Sequence, residues 1–251
     1  MQWFHDLTIM SKRSWKMNSR NLDGLITTAV LPVMILLSFV YIFGGAIDAS
    51  GNYIDYIVPG IIVLGLGQVS AGAAVTISTM KQRGILNRFK TMAITQSSVL
   101  WGEQTIYLLK SLFSVFLVIA VGILLGFSPE LTLSNGLVLG LFVLLASATL
   151  VWISFFIGLS VGTEAAAAFP MFLLFAPYLS SGFVPLETLP KVLRNFAEVS
   201  PFTPITETIR GLLMNDVSLN DLRVASAWLI GLLLLFVFLT LGKYNRLTEK
   251  S

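Results

Sequence analysis

Glu103 and Lys110 lie seven residues apart, on one face of any helix through them, and Glu164 opens a later apolar stretch. These are the ionisable groups best placed for proton or ion chemistry in lipid, where a charge is costly and is kept for function. Each stands at the edge of an apolar run, so Lys110 is expected to snorkel to the interface and Glu164 to favour the positive end of its own helix dipole. Neither placement supplies an ion pathway. Ser70 and Ser78 are nucleophile types, but no His, Asp or Glu falls deep enough to activate them. With His5 as the single histidine and no cysteine, thiolate chemistry, disulfides and multi-histidine metal sites are excluded. The one Gly-Lys pair, Gly242-Lys243, is followed by Tyr244 rather than completing a phosphate-binding loop. If anything is moved uphill, the energy must come from a separate chain.

The elements that would position these residues are dictated by hydropathy. Of 251 residues, 55% are hydrophobic and 12% charged, with a mean hydropathy of +0.84, whereas a soluble domain carries about a quarter charged residues. Six stretches hold no charge: Gly24 to Ile47, Tyr56 to Met80, Ser111 to Pro129, Leu131 to Thr163, Ala165 to Leu186 and Val224 to Gly242. A helix needs about 20 apolar residues to cross a bilayer. The expectation is an all-α polytopic membrane protein with six transmembrane helices at 24–47, 54–80, 104–127, 134–162, 164–184 and 219–242. These runs lack the polar–apolar alternation of a β-barrel. Residues 1–23 precede them as a polar and amphipathic segment, unlike a cleavable leader. There Trp3, Leu7, Met10 and Met17 recur near helical spacing while Lys12, Arg13, Lys16 and Arg20 cluster later, which reads as an in-plane interfacial helix.

Basic residues fix the expected orientation, because they are retained on the cytoplasmic side of short loops. The N-terminal segment, the loop 82–95 with its flanking Lys81 (Arg83, Arg88, Lys90) and the tail (Lys243, Arg246, Lys250) are basic. The first and third loops carry only Asp48, Asp55 and Glu130. Both termini are therefore expected in the cytoplasm and segment 185–218 outside. The net charge of +3 reflects this topology, and no nucleic-acid partner is read from it.

Local patterns refine the elements. Gly60, Gly65, Gly67, Ala71, Gly72, Ala73 and Ala74 suit close helix packing in lipid. Pro170 and Pro177 predict a bend in the fifth span. In the outer segment, Leu189, Val192, Leu193 and Phe196 predict an amphipathic helix over Pro190 to Val199. Thr203 before Pro204 predicts a cap opening a helix through Met214, and Ser218 with Asp221 a capped start for the last span. In the loop 82–95, Ile85, Phe89 and Met92 share one helical face opposite Arg83, Asn87 and Lys90. Such a helix either offers apolar knobs to a groove in a cytosolic protein or rests on lipid headgroups.

Three islands give the chain a family resemblance: Val58-Pro59-Gly60-Ile61; Gln82-Arg83-Gly84-Ile85-Leu86-Asn87-Arg88-Phe89; and Ser181-Gly182-Phe183-Val184-Pro185 continued by Ser200-Pro201-Phe202-Thr203-Pro204 and Ile209-Arg210-Gly211-Leu212. In order and spacing the sequence resembles the membrane subunits of type-2 ATP-binding-cassette (ABC) exporters, especially the daunorubicin-resistance-like permeases. It departs in lacking a proline after Phe89 within Thr91 to Thr95 and a tryptophan around Lys191 to Leu193.

The resemblance implies that the loop is a coupling helix docking on an ABC ATPase subunit through Arg83, Gly84, Ile85, Leu86, Arg88, Phe89 and Met92. The N-terminal helix is expected to touch the same subunit. It further implies a homodimer bound to two ATPase copies in a prokaryotic plasma membrane. ATP and Mg would sit on the ATPase, and this chain would bind no cofactor and catalyse nothing itself. The second and fifth spans would line the route, making Gln68, Thr76, Met171, Phe172, Phe175 and Tyr178 candidate contacts for a hydrophobic or amphipathic cargo such as a drug, antibiotic, peptide or lipid-like molecule. Alternatives are export of a glycolipid or polysaccharide, for which the spans hold few polar groups, and a non-transporting immunity or sensor subunit.

Overall fold

A computed structural model describes residues 2–19, 22–43, 53–90, 95, 97–175, 178 and 180–249. The described residues are helical apart from short turns, with no strand among them. In chain order the helices are α1 (Gln2–Ser19), α2 (Leu22–Ser38, widening into a π-helical turn over Phe39–Phe43), α3 (Tyr53–Gln82), α4 (Ile85–Lys90) and α5 (Ser97–Leu124). They continue as α6 (Leu133–Ser160), α7 (Thr163–Phe175), α8 (Lys191–Val199), α9 (Phe202–Leu213) and α10 (Leu219–Glu249). Among the described residues four helices, α3, α5, α6 and α10, are long and apolar enough to cross a membrane, and Val30–Ile42 is a shorter apolar stretch.

The small-residue helix α3 is the hub, packing on α2, α5, α6, α7 and α9. Close approach explains its glycines. A Cβ on Gly60 would overlap the Gly182 carbonyl, one on Gly65 would sit 2.9 Å from Ser114 Oγ, and Gly158 of α6 presses on the Ala74 carbonyl. Hydroxyls stitch the long helices where no water competes. Ser111 and Ser147 oxygens are 2.6 Å apart, Thr149 Oγ1 donates to Leu229 O at 3.1 Å and Thr240 Oγ1 to Trp152 O at 3.3 Å. The core follows α3 from one end, where Ile57, Ile61, Phe183 and Ile209 meet, to the other, where Ile77, Trp152, Phe155 and Tyr244 meet. The last helix reaches the latter end through Tyr244, and α1 lies there through Met10; that end is called here the terminal end, and the other the far end.

The structure changes two expectations. Within the apolar stretch 164–184 the described residues are helical over Thr163–Phe175 and turn from Ser180 onward, so the expected helix does not run through to 184. Pro170 sits inside this helix, while Pro177 lies outside the described residues. Secondly, the helix expected to open at Thr203 starts at Phe202. Ser200 Oγ accepts the Phe202 N–H at 3.3 Å, and Thr203 Oγ1 turns back to donate to Ala197 O at 2.6 Å. The Ser218 cap is as read, with Ser218 Oγ accepting the Asp221 N–H at 3.3 Å, and α8 falls on the expected amphipathic segment.

Candidate functional site

At the terminal end the chain reverses sharply between α3 and α4. Gly84 takes a left-handed φ of 65°, which a side chain would strain. Its N–H bonds Lys81 O at 3.1 Å, and its own carbonyl accepts the Arg88 N–H at 3.2 Å. The α3 side of the turn is anchored to the α6–α7 junction. Lys81 Nζ donates to Leu159 O at 2.8 Å and to Val161 O at 3.1 Å, placing a cation on the negative C-terminal end of α6. Thr163 Oγ1 donates to Gln82 Oε1 at 2.6 Å.

On α4, Leu86 and Phe89 are buried and Ile85 is half-buried, while Asn87 and Arg88, with Arg83 in the turn before it, are exposed. The expected orientation of apolar knobs toward a partner is thus reversed for Phe89. Its ring joins Met10 of α1 and Val99 of α5 in one cluster, with the Arg13 guanidinium 4.7 Å from the ring centre. The cause is α1, whose Met10 and Arg13 cover the Phe89 ring. Met92 lies outside the described residues.

Of the polar groups that hold α1 here, sequence reasoning named Glu103 only as a charge at a span edge and Arg13 only as one of the N-terminal cations, and it did not single out Asp6 or Ser14. Asp6 is buried and accepts the Thr95 N–H at 2.9 Å and Thr95 Oγ1 at 3.0 Å. Glu103 is 1% exposed, accepts Ser14 Oγ at 2.6 Å, and lies 3.9 Å from Arg13 Nη1. The available signal was Gly102, where a Cβ would come within 2.7 Å of Met10 Cβ. That glycine lets α1 lie against α5.

The six candidate pathway residues fall into two settings. Gln68 Nε2 donates to Pro170 O at 3.1 Å, tying α3 to α7. Thr76 Oγ1 is 2.7 Å from the Tyr107 hydroxyl, which itself donates to Gly72 O at 3.1 Å. By contrast Met171, Phe175 and Tyr178 are 68%, 58% and 41% exposed, an apolar face that this chain leaves uncovered. Exposed Val30, Leu31 and Met34 form a similar face on α2. The position of Phe172 on α7 is described, its side chain is not. Ser70 and Ser78 donate to Gly67 O and Val161 O, which gives them no catalytic setting.

At the far end the first and last sequence islands meet. Arg210 of α9 donates through Nη2 to Ser181 O at 2.9 Å and to Tyr56 O at 3.2 Å, pairs with Glu207, and lies 4.0 Å over the Tyr56 ring. The Tyr56 hydroxyl donates to Ser181 O at 2.8 Å. Beside this latch Phe39, Tyr178 and Phe183 stack, with centroids 4.4 to 6.3 Å apart.

An all-helical bundle with four membrane-length apolar helices, a small-residue hub and a basic elbow defines a multi-pass membrane protein. The family model for the ABC-2 type transporter matches residues 5–214, and the chain belongs to that family as a transport component embedded in the membrane. It is 23% identical over 229 residues to the daunorubicin resistance ABC transporter permease protein DrrB1 of Streptomyces coeruleorubidus, an alignment covering 88% of this chain and 79% of the relative.

Proposed function

We propose that this permease is the membrane half of an ATP-driven exporter that moves a hydrophobic or amphipathic compound out of the cell. A separately encoded ATPase, carrying ATP and Mg, docks in two copies on two copies of this chain. In this reading α2 and α7 count as spans, giving six, with both termini in the cytoplasm of a prokaryote. The uncovered faces of α2 and α7, with Met171, Phe175 and Tyr178, meet across the dimer and border the route, where aromatic and thioether groups suit apolar cargo.

The observation that carries the proposal is the two-sidedness of α4. Its apolar side is fastened to α1 and α5, while Arg83, Asn87 and Arg88 point outward. A push on the basic face is therefore delivered to α3 through the Gly84 turn and to α5 through Phe89. A two-state permease needs such an external bias, since a partner shifts an equilibrium only by binding its two states unequally.

The test is reconstitution with the ATPase in lipid vesicles. Arg83→Glu, on an exposed side chain, should leave the melting temperature within about 1 °C, as surface substitutions shift stability little. Cargo transport per ATP hydrolysed should fall at least about tenfold, the effect of a misplaced interfacial charge worth ~1.4 kcal/mol. Unchanged coupling would defeat the docking role.

A further inference from the structure

A groove of about 480 Å³ opens beside the end of α10, lined by Phe156 of α6 and by Phe238, Leu239, Gly242, Lys243, Arg246 and Leu247 of α10. Its volume falls in the ~300–1,000 Å³ range of small-ligand sites. The lining is sorted by height. Phe238, Leu239 and Gly242 belong to the charge-free run that ends at Gly242, and Lys243 and Arg246 are the first cations beyond it. None of the lining residues is acidic. Lys243 Nζ donates to Ser160 Oγ at 2.8 Å and lies 5.2 Å from the Phe156 ring centre, which uses part of the three-donor capacity of an ammonium. Arg246 is exposed. At the middle of the stripe Gly242 leaves space: a Cβ there would meet nothing within 4 Å. The groove lies where α10 packs on α6, and none of its lining residues belongs to α2 or α7.

We propose that the groove binds an anionic phospholipid. Its phosphate sits between Lys243 and Arg246, and an acyl chain lies along Phe238, Leu239 and Phe156 over Gly242. Charge complementarity selects the occupant: two cations at the polar edge and an apolar trough running into the hydrocarbon match a headgroup–chain junction, and a free phosphate would use only the first half of the site. The assignment needs the chain to be in a membrane but is independent of the ATPase and cargo proposed above.

Purified full-length protein is exchanged into micelles holding phosphatidylcholine and phosphatidylglycerol of identical chains, and lipids retained per chain are counted by native mass spectrometry. One phosphatidylglycerol should be retained with roughly twentyfold preference, on the order of fivefold for each cation. Lys243→Gln with Arg246→Gln should bring the preference close to one. Gly242→Leu keeps both charges but fills the trough, and should lower retention roughly tenfold, the worth of about two buried methylenes. Inorganic phosphate at millimolar concentration should displace nothing. Wild-type retention by Gly242→Leu, an undiminished preference in the double variant, or displacement by inorganic phosphate would each overturn the proposal.

Discussion

Arg13 and Arg210 stand at opposite ends of the bundle with the same two neighbours, an aromatic ring and a carboxylate, yet they are held differently. Arg210 is 16% exposed in its side chain and bonds two backbone carbonyls from separate elements, Tyr56 and Ser181. Arg13 is 27% exposed, faces Glu103 at 3.9 Å, and otherwise rests on the Phe89 ring. Carbonyls bonded by a planar fork define one position of the joined segments. A ring face and a long ion pair permit small sliding at little cost, because neither is strongly directional. The Arg210 contact is therefore a fixed latch and the Arg13 contact a compliant one, set beside the directional bonds of Asp6 to Thr95 and Glu103 to Ser14. That arrangement suits a machine pushed from the terminal end.

The largest way to break the comparison is Gly60→Val. The added side chain would overlap the Gly182 carbonyl, so the loop carrying Ser181 must leave α3. The expected loss is about 3 kcal/mol or more of stability in mixed-micelle unfolding, the upper range of overpacking. Because the displaced loop also takes Ser181 O away from Arg210, adding Arg210→Gln to Gly60→Val should cost less than Arg210→Gln alone. Full additivity would separate the glycine contact from the latch.

Next in size is Arg210→Gln itself. It removes charge-assisted bonds to Tyr56 O and Ser181 O, each worth roughly 1.5–3 kcal/mol net, while a glutamine amide can reach one of them. The expected loss is about 2–3 kcal/mol. Arg210→Lys should recover less than half of it, because a point charge cannot bond two carbonyls and lie flat on Tyr56 at once. Complete rescue by lysine would mean that charge alone, and not the fork, holds the loop.

These sites also mark what the sequence discloses. The charge-free runs locate α3, α5, α6 and α10, since continuous hydropathy over that length has few other uses, and the i, i+3, i+4, i+7 pattern locates α8. The turn from Ser180 onward was not legible, because an apolar run reads alike whether it continues as helix or turns back within protein. Nor was the facing of α4. A six-residue helix has two sides, and its periodicity cannot say that Phe89 meets Arg13, 76 residues earlier in the chain. Thr203-Pro204 carried a cap signal, but the helix opens one residue earlier after Pro201, and Thr203 bonds α8 instead. Glu103 was visible as an ionisable residue at a span edge. That it is buried against Ser14 depends on α1 lying over Gly102, a contact that no local window contains.

The smallest expected effect sharpens the terminal half of the comparison. Arg13→Gln removes a half-exposed cation from the Phe89 ring, a contact worth about 0.5–1 kcal/mol. Glu103→Gln keeps an oxygen to accept Ser14 Oγ and loses only the charge. At 3.9 Å the two side chains are beyond hydrogen-bond reach, so a double-mutant cycle should return a coupling below about 1 kcal/mol, in the range of partly solvated ion pairs. A coupling of about 3 kcal/mol, the scale of a broken buried pair, would make Arg13–Glu103 as firm a latch as Arg210. The Arg13 contact could then no longer be the compliant one of the two. With weak coupling, Phe89→Ala is the change that should loosen α4 from α1, since ring packing and not charge carries that joint.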